Sequence, residues 1–179
     1  YHYNQIGKYY YFNNGKIVEF NYPNRAENVT LSPAKNQLAY TIKNNLFLAN
    51  PSDSSIVLTD HKDPNIIAGQ SIHRNEFGIK NGIFWSNDGN KIAFYEKDES
   101  DVHDYPLLNI NDTPGQLKSV KYPMAGQKSE YGKVGVYNTE SKSLIYLETV
   151  HKKDDYVTNL TWGPKNEFIY IAELNRDQN

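Results

Sequence analysis

The chain has 179 residues, enough for a domain with a real core, and carries a formal net charge of -2 with a pI near 6.2. That balance leaves no basic footprint for nucleic acid, and the absence of Cys excludes disulfides, thiolate metal sites and cysteine nucleophiles together. No apolar run approaches the roughly 18 residues of a membrane-spanning helix, no signal-peptide pattern is present, and 15 Tyr among many β-branched residues lean towards strands.

Residues 9–12 and 16–20 flank Asn13-Asn14-Gly15, a hairpin signal because Asn and Gly tolerate positive φ. Residues 29–32 and 37–42 flank Pro33-Ala34-Lys35-Asn36. Residues 46–49 follow the Asn44-Asn45 turn, and 55–58 follow Pro51-Ser52-Asp53. These four runs read as one antiparallel meander. The pattern returns as 83–86, Asn87-Asp88-Gly89-Asn90 and 91–96, then as 157–162, Gly163-Pro164-Lys165-Asn166 and 167–172. Val29-Thr30-Leu31-Ser32-Pro33, Ile83-Phe84-Trp85-Ser86-Asn87 and Leu160-Thr161-Trp162-Gly163-Pro164 are thus one motif. A recurring four-stranded unit of this kind is what a propeller blade needs, because each blade buries its faces against its neighbours. On the repeat alone, a β-sandwich with similar turns is the alternative. The expected fold is all-β: a partial β-propeller of several four-stranded antiparallel blades.

Two segments break the repeat. Residues 60–82 sit between two blades, with a polar middle at 71–77 able to form a short helix. Residues 98–130 hold three Pro and are too long for a blade turn, so an ordered insertion is expected. The chain opens at Tyr1-His2-Tyr3 and ends at Arg176-Asp177-Gln178-Asn179. Both ends read as cuts in a longer protein, so residues 1–179 are expected to be a fragment of one propeller domain.

Nucleophilic catalysis is not visible: no Gly-x-Ser-x-Gly elbow occurs, and Ser32 and Ser86 stand between strands and blade turns. The five His are scattered without His-x-x-x-His spacing, so no metal and no cofactor is expected. Asn87-Asp88-Gly89-Asn90 lacks the alternating acids of a calcium loop and reads as a turn. Glu96, Asp98, Glu99 and Asp101 read as a solvated strand end. Asn28, Asn111 and Asn159 each begin an Asn-x-Ser/Thr triplet. Trp85 and Trp162 occupy matching positions of the motif, which favours core packing over ligand stacking.

Several segments together resemble the dipeptidyl peptidase IV family of the prolyl oligopeptidase clan. They are Leu38-Ala39-Tyr40 before Asn44-Asn45-Leu46-Phe47, Ile72-His73-Arg74-Asn75-Glu76-Phe77-Gly78-Ile79, and Phe84-Trp85-Ser86 with Asp88-Gly89-Asn90. Asp104-Tyr105-Pro106-Leu107, Lys121-Tyr122-Pro123-Met124-Ala125-Gly126, Val134-Gly135-Val136-Tyr137-Asn138, and Leu160-Thr161-Trp162 with Arg176, Gln178 and Asn179 follow in the family's order. The Asn-Glu-Phe-Gly and Tyr-Pro-x-Ala-Gly pieces are the specific ones, and the wording is closest to bacterial members, including prolyl tripeptidyl peptidases.

The resemblance implies a parent in which an eight-bladed propeller caps an α/β-hydrolase domain carrying Ser, Asp and His, a domain absent from these residues. It implies that propeller carboxylates hold the free α-amino group of a peptide substrate. Glu76 is the residue that matches, with His73, Arg74 and Asn75 as possible neighbours. Family members that release dipeptides usually show two adjacent Glu here. Arg74-Asn75-Glu76 shows one, which brings tripeptide release into view. From the residue alone, a solvated loop acid or a partner of Arg74 is the better account of Glu76, and only the surrounding match favours the binding role.

The insertion at about 98–130 matches the family's arm, which reaches a second subunit. Tyr105, Pro106, Leu107, Tyr122 and Pro123 would then contribute to a homodimer. Export to the periplasm, the cell surface or the medium is what the family suggests. A non-catalytic propeller serving as a protein-interaction scaffold is the rival reading, because fold does not decide function.

Overall fold

The structure, a computed structural model, describes residues 7–51, 55–150 and 154–178. Tyr1-His2-Tyr3, Asn179 and the Ser52-Asp53 part of the expected turn lie outside the described residues. Strands β1 (Tyr10–Asn13) and β2 (Lys16–Glu19) form the first hairpin. Asn14 and Gly15 make its two-residue turn with φ of 47° and 78°, the double positive φ that a type I′ turn requires.

Strands β3 (Glu27–Leu31), β4 (Leu38–Ile42), β5 (Asn45–Ala49) and β6 (Ile56–Val57) then form one four-stranded antiparallel meander in chain order. The β4–β5 turn falls on Lys43-Asn44, one residue earlier than the sequence suggests, and Asn45 already pairs with Ile42. The Asn44 side-chain amide explains the shift: it donates to the carbonyls of Asp63 (2.9 Å) and Ile66 (3.0 Å), tying down the next connection.

The second blade comprises β7 (Ile66–Ala68), β8 (Ile83–Trp85), β9 (Lys91–Asp98), β12 (Tyr131–Asn138) and β13 (Ser143–Tyr146). Between β9 and β12 lies a separate antiparallel hairpin, β10 (Asp104–Asn109) and β11 (Gln116–Lys121). The sheet runs β13-β12-β9-β7, with β8 on the same edge of β9 as β7. Residues 60–82 therefore do not separate two blades. Ile66 to Ala68 pair with Asp98 to Glu96 and Ile83 to Trp85 with Phe94 to Ile92, so β7 and β8 are two halves of one interrupted inner strand. Strands β14 (Tyr156–Trp162) and β15 (Ile169–Leu174) begin the third blade.

The middle strands bury both faces, with period-two alternation assigning side chains to opposite neighbours. Leu38 and Tyr40 of β4 pack with Phe20 towards the first hairpin, whereas Ala39 joins Ile83, Trp85, Ile92 and Phe94 of the second blade. On β9 the alternation continues: Ile92 and Phe94 face the first blade, and Ala93 and Tyr95 join Val157 and Leu160 of the third. Each fully buried Leu, Ile, Val or Phe among these contributes about 1.5–3 kcal/mol. Because these partners come from the next blade, stability resides in the junctions, as expected of a partial β-propeller.

The repeated tryptophans stitch the junctions. The Trp85 indole N–H donates to the Thr30 carbonyl at 3.2 Å, and the Trp162 indole N–H donates to the Phe84 carbonyl at 2.9 Å. Thr30 and Phe84 occupy the same place in the motif, so each indole meets the equivalent carbonyl of the preceding blade.

Candidate functional site

Inner strands β3 and β14 each contain a one-residue bulge, between Glu27 and Thr30 and between Thr158 and Thr161. Asn28 and Asn159 supply its positive φ, 51° and 53°. At the same place in the second blade the chain leaves the sheet at Gly69 and returns at Gly82. Gly69 N–H donates to the Tyr95 carbonyl at 2.8 Å, and Tyr95 N–H donates to the Gly82 carbonyl at 3.0 Å, so the sheet closes on both sides of the departure. The blade's ordinary bulge has been opened into a loop, and that loop carries Glu76.

Within the loop, His73–Gly78 form a 3₁₀ helix, η1, close to the helix expected at 71–77. Ile72 and Ile79 are buried and pin its two ends among Ala93, Tyr95, Val134 and Val157. His73 is also buried, with φ of 52°. Its backbone N–H donates to a carboxylate oxygen of Glu130. Its ring Nε2 accepts the Val157 N–H at 3.1 Å, which assigns the neutral ring's proton to Nδ1, 3.7 Å from Glu130 Oε1. Tyr156 stands edge-on to the same ring at a centroid distance of 5.0 Å. His73 is thus a fixed post between η1 and β14.

Glu76 projects from this helix and is exposed, while its carbonyl accepts the Ile79 N–H at 3.1 Å. The side chains of Arg74 and Asn75 lie outside the described part of the structure. A pocket of about 150 Å³ opens beside η1. Glu76 and His73 form one wall, residues 123–126 with Ser129 and Glu130 a second, and Tyr156 with Arg176 a third. Arg176 ties two walls together, donating to the Gln127 carbonyl at 2.6 Å and to the Tyr156 hydroxyl at 3.3 Å.

Burial pushes the Glu130 carboxyl above the usual carboxylate range, with Lys97 and the His73 N–H pulling the other way. Lys97 Nζ lies 2.7 Å from Glu99 Oε1 and 3.7 Å from Glu130 Oε2. Chemically, the pocket is lined by one exposed carboxylate, Glu76, and one buried carboxylate, Glu130. A ligand ammonium could meet Glu76 through short, charge-assisted hydrogen bonds.

The structure brings Glu76, His73, Pro123 and Met124 to one pocket, although Met124 and Glu76 are far apart in sequence. Tyr105, Pro106 and Leu107 stand apart on β10, where Tyr105 packs against Tyr122 at a centroid distance of 5.9 Å. Sequence reasoning missed Glu130 and Tyr156 as site residues, and knew Arg176 only as part of the resemblance. The Ser residues weighed as nucleophiles are turn residues. The Ser86 hydroxyl donates to Asp88 at 2.6 Å and Ser32 Oγ accepts the Lys35 N–H at 3.2 Å. Asp88 is held below the usual carboxylate range by that Ser86 bond and by the Asn90 N–H, as a blade turn requires. Glu96 and Glu99 are buried rather than solvated: Glu96 meets the His61 ring and the Tyr146 hydroxyl, and Glu99 meets Lys97 two residues before it.

Known proteins place this architecture. The family model described as "Dipeptidyl peptidase IV (DPP IV) N-terminal region" matches residues 1–179. The Pyrenophora tritici-repentis protein named "Probable dipeptidyl-aminopeptidase B" is 24% identical, over 88% of this chain and 20% of its own length. Among solved structures, a candidate dipeptidyl aminopeptidase IV of Bacteroides ovatus superposes with a TM-score of 0.79 at 38% identity, covering 96% of this chain and 25% of that one. The dipeptidyl peptidase 4 of Porphyromonas gingivalis gives a TM-score of 0.76 at 26% identity, covering 84% and 22%. The chain therefore spans about a fifth to a quarter of the length of these relatives. It belongs to the dipeptidyl peptidase IV N-terminal region family.

Proposed function

We propose that this chain is the substrate-gauging part of a serine exopeptidase that releases di- or tripeptides after Pro, with Glu76 binding the substrate α-ammonium. The observation that carries the reading is the exposed Glu76 carboxylate lining one pocket with residues 123–126, Tyr156 and Arg176. A hydrolase domain elsewhere in the parent chain would supply the Ser, His and Asp for acyl transfer. The propeller would gate access and fix the distance from the N-terminus to the cut bond. No catalytic group is assigned to this chain, which alone should be inactive. Export to the periplasm, cell surface or medium belongs to the same reading.

The test is Glu76→Gln in the full-length protein, comparing a free-amino substrate such as Ala-Ala-Pro-p-nitroanilide with its N-acetyl form. Bound peptide would bury the ammonium–Glu76 pair, and removing one partner of a buried charged pair costs about 2–5 kcal/mol, so kcat/KM for the free-amino peptide should fall at least about 30-fold. The acetylated peptide should remain the poor substrate it was. Equal effects on both, or none, would leave the scaffold reading in its place.

The β10–β11 hairpin would serve as the arm of a homodimer. Leu108, Ile110 and Leu117 are exposed there, at 65%, 80% and 75%, near Tyr105, Pro106 and Leu107, with Tyr122 and Pro123 at its base. Sedimentation of the full-length protein at micromolar concentration checks this. A monomer would count against the arm.

A further inference from the structure

The first residue of η1 lacks the local cap that a helix start normally has. The preceding residue, Ile72, is extended and apolar, and makes no side-chain capping bond. The His73 N–H is one of the helix-start donors that no intrahelical carbonyl accepts; His73 is buried, and a buried unpaired N–H is costly. Glu130, which lines the same pocket, fills the place by accepting that N–H. Glu130 is itself firmly placed. It directly precedes β12, whose Tyr131 and Gly132 pair with Asp98 and Lys97 of β9. The helix also sits against this strand: a Cβ on Gly132 would meet the Ile72 Cδ1 atom at 3.3 Å and His73 Nε2 at 3.7 Å.

We propose that Glu130 is a positioning residue, a cap supplied in trans that fixes η1 to the β9–β12 ladder and thereby sets where the Glu76 carboxylate stands in the pocket. This rests on the reading of Glu76 as the ammonium-binding group. The contact needs an acceptor oxygen at the right reach and no negative charge, so an amide can replace the carboxyl but a methyl cannot. Capping is the means, and the precision of the substrate gauge is the effect. Displacing a contact group by about 1 Å can cost up to about a hundredfold in rate.

The experiment uses Glu130→Ala and Glu130→Gln in the full-length protein, with two readouts. Hydrogen exchange of residues 72–79 reports the cap. The ratio of kcat/KM for Ala-Ala-Pro-p-nitroanilide to that for its N-acetyl form reports the gauge. Glu130→Ala should speed exchange in 72–79 and lower the ratio by about ten- to a hundredfold, and Glu130→Gln should restore most of both. If Glu130→Ala does not fold, Glu130→Asp, which keeps the charge and withdraws the oxygen, should move both readouts the same way. Unchanged exchange in the Ala or Asp variant overturns the proposal, as does a Gln variant as impaired as Ala. Glu76→Gln separates the two ideas. If it leaves the ratio unchanged while the Glu130 variants alter exchange as expected, the cap stands and the ammonium reading falls.

Discussion

A Cβ built on Gly82 would lie 2.2 Å from both the carbonyl carbon and the oxygen of Gln70. These two residues form the neck of the loop that replaces the second blade's bulge, and backbone meets backbone there. A side chain could swing aside, but this contact cannot.

Gly82→Ala is therefore expected to spread the neck and displace η1. The cost should be about 1–3 kcal/mol, the range for forcing extra atoms into a packed site. The full-length protein should melt at lower temperature and discriminate less between free-amino and acetylated peptides. Differential scanning calorimetry and the same pair of substrates check both. An unchanged melt would mean the neck opens without cost.

Glu130 makes stability depend on pH in an unusual direction. Burial raises its folded-state pKa above the unfolded value near 4.5, so the folded protein holds that proton more tightly. Its favourable contribution is present below the unfolded pKa and is lost as pH rises through the folded value. Glu130→Gln keeps the acceptor and removes the titration. Its unfolding midpoint should accordingly gain on wild type as pH is raised from about 4.5. Urea unfolding across that range measures the difference, and a constant offset would contradict it.

Tyr146 and His61 both reach one oxygen of Glu96, the tyrosine through its hydroxyl and the imidazole through Nε2 at 2.8 Å. Burial first, then the bond and charge of Glu96, push the Tyr146 hydroxyl far above the ordinary phenol value. It stays a donor at any ordinary pH. Tyr146→Phe removes one of the two donors meeting that oxygen of a buried carboxylate, at an expected cost of about 1–3 kcal/mol. The urea midpoint of the variant checks this, and a change within experimental error would show that solvent replaces the hydroxyl.

The blades were legible because their turns are written in residue types. Asn14-Gly15 demanded a tight hairpin, and the matched Trp85 and Trp162 marked equivalent strands. The place of Ile66-Ile67-Ala68 was not legible. Three residues carry no reliable period, and their pairing with Glu96 to Asp98 is a long-range register set across the loop. Gly82 could have signalled that loop, since Asn28 and Asn159 hold the equivalent positions in its neighbours. Glu76 was found only through the resemblance, since one exposed Glu in a polar run has no pattern of its own. Glu130 was hidden for a different reason. Its partner is a backbone amide 57 residues away, and no side-chain spacing encodes that.

The two indole bonds run one way. Trp85 reaches back to Thr30 and Trp162 back to Phe84, so at each junction the N-terminal neighbour offers the carbonyl and the C-terminal neighbour brings the donor. The array therefore has a direction as well as a repeat. In a chain made from its N-terminus and folding in that order, the acceptor at each junction is synthesised before the donor that needs it. At these two junctions the arriving blade meets a carbonyl already in place.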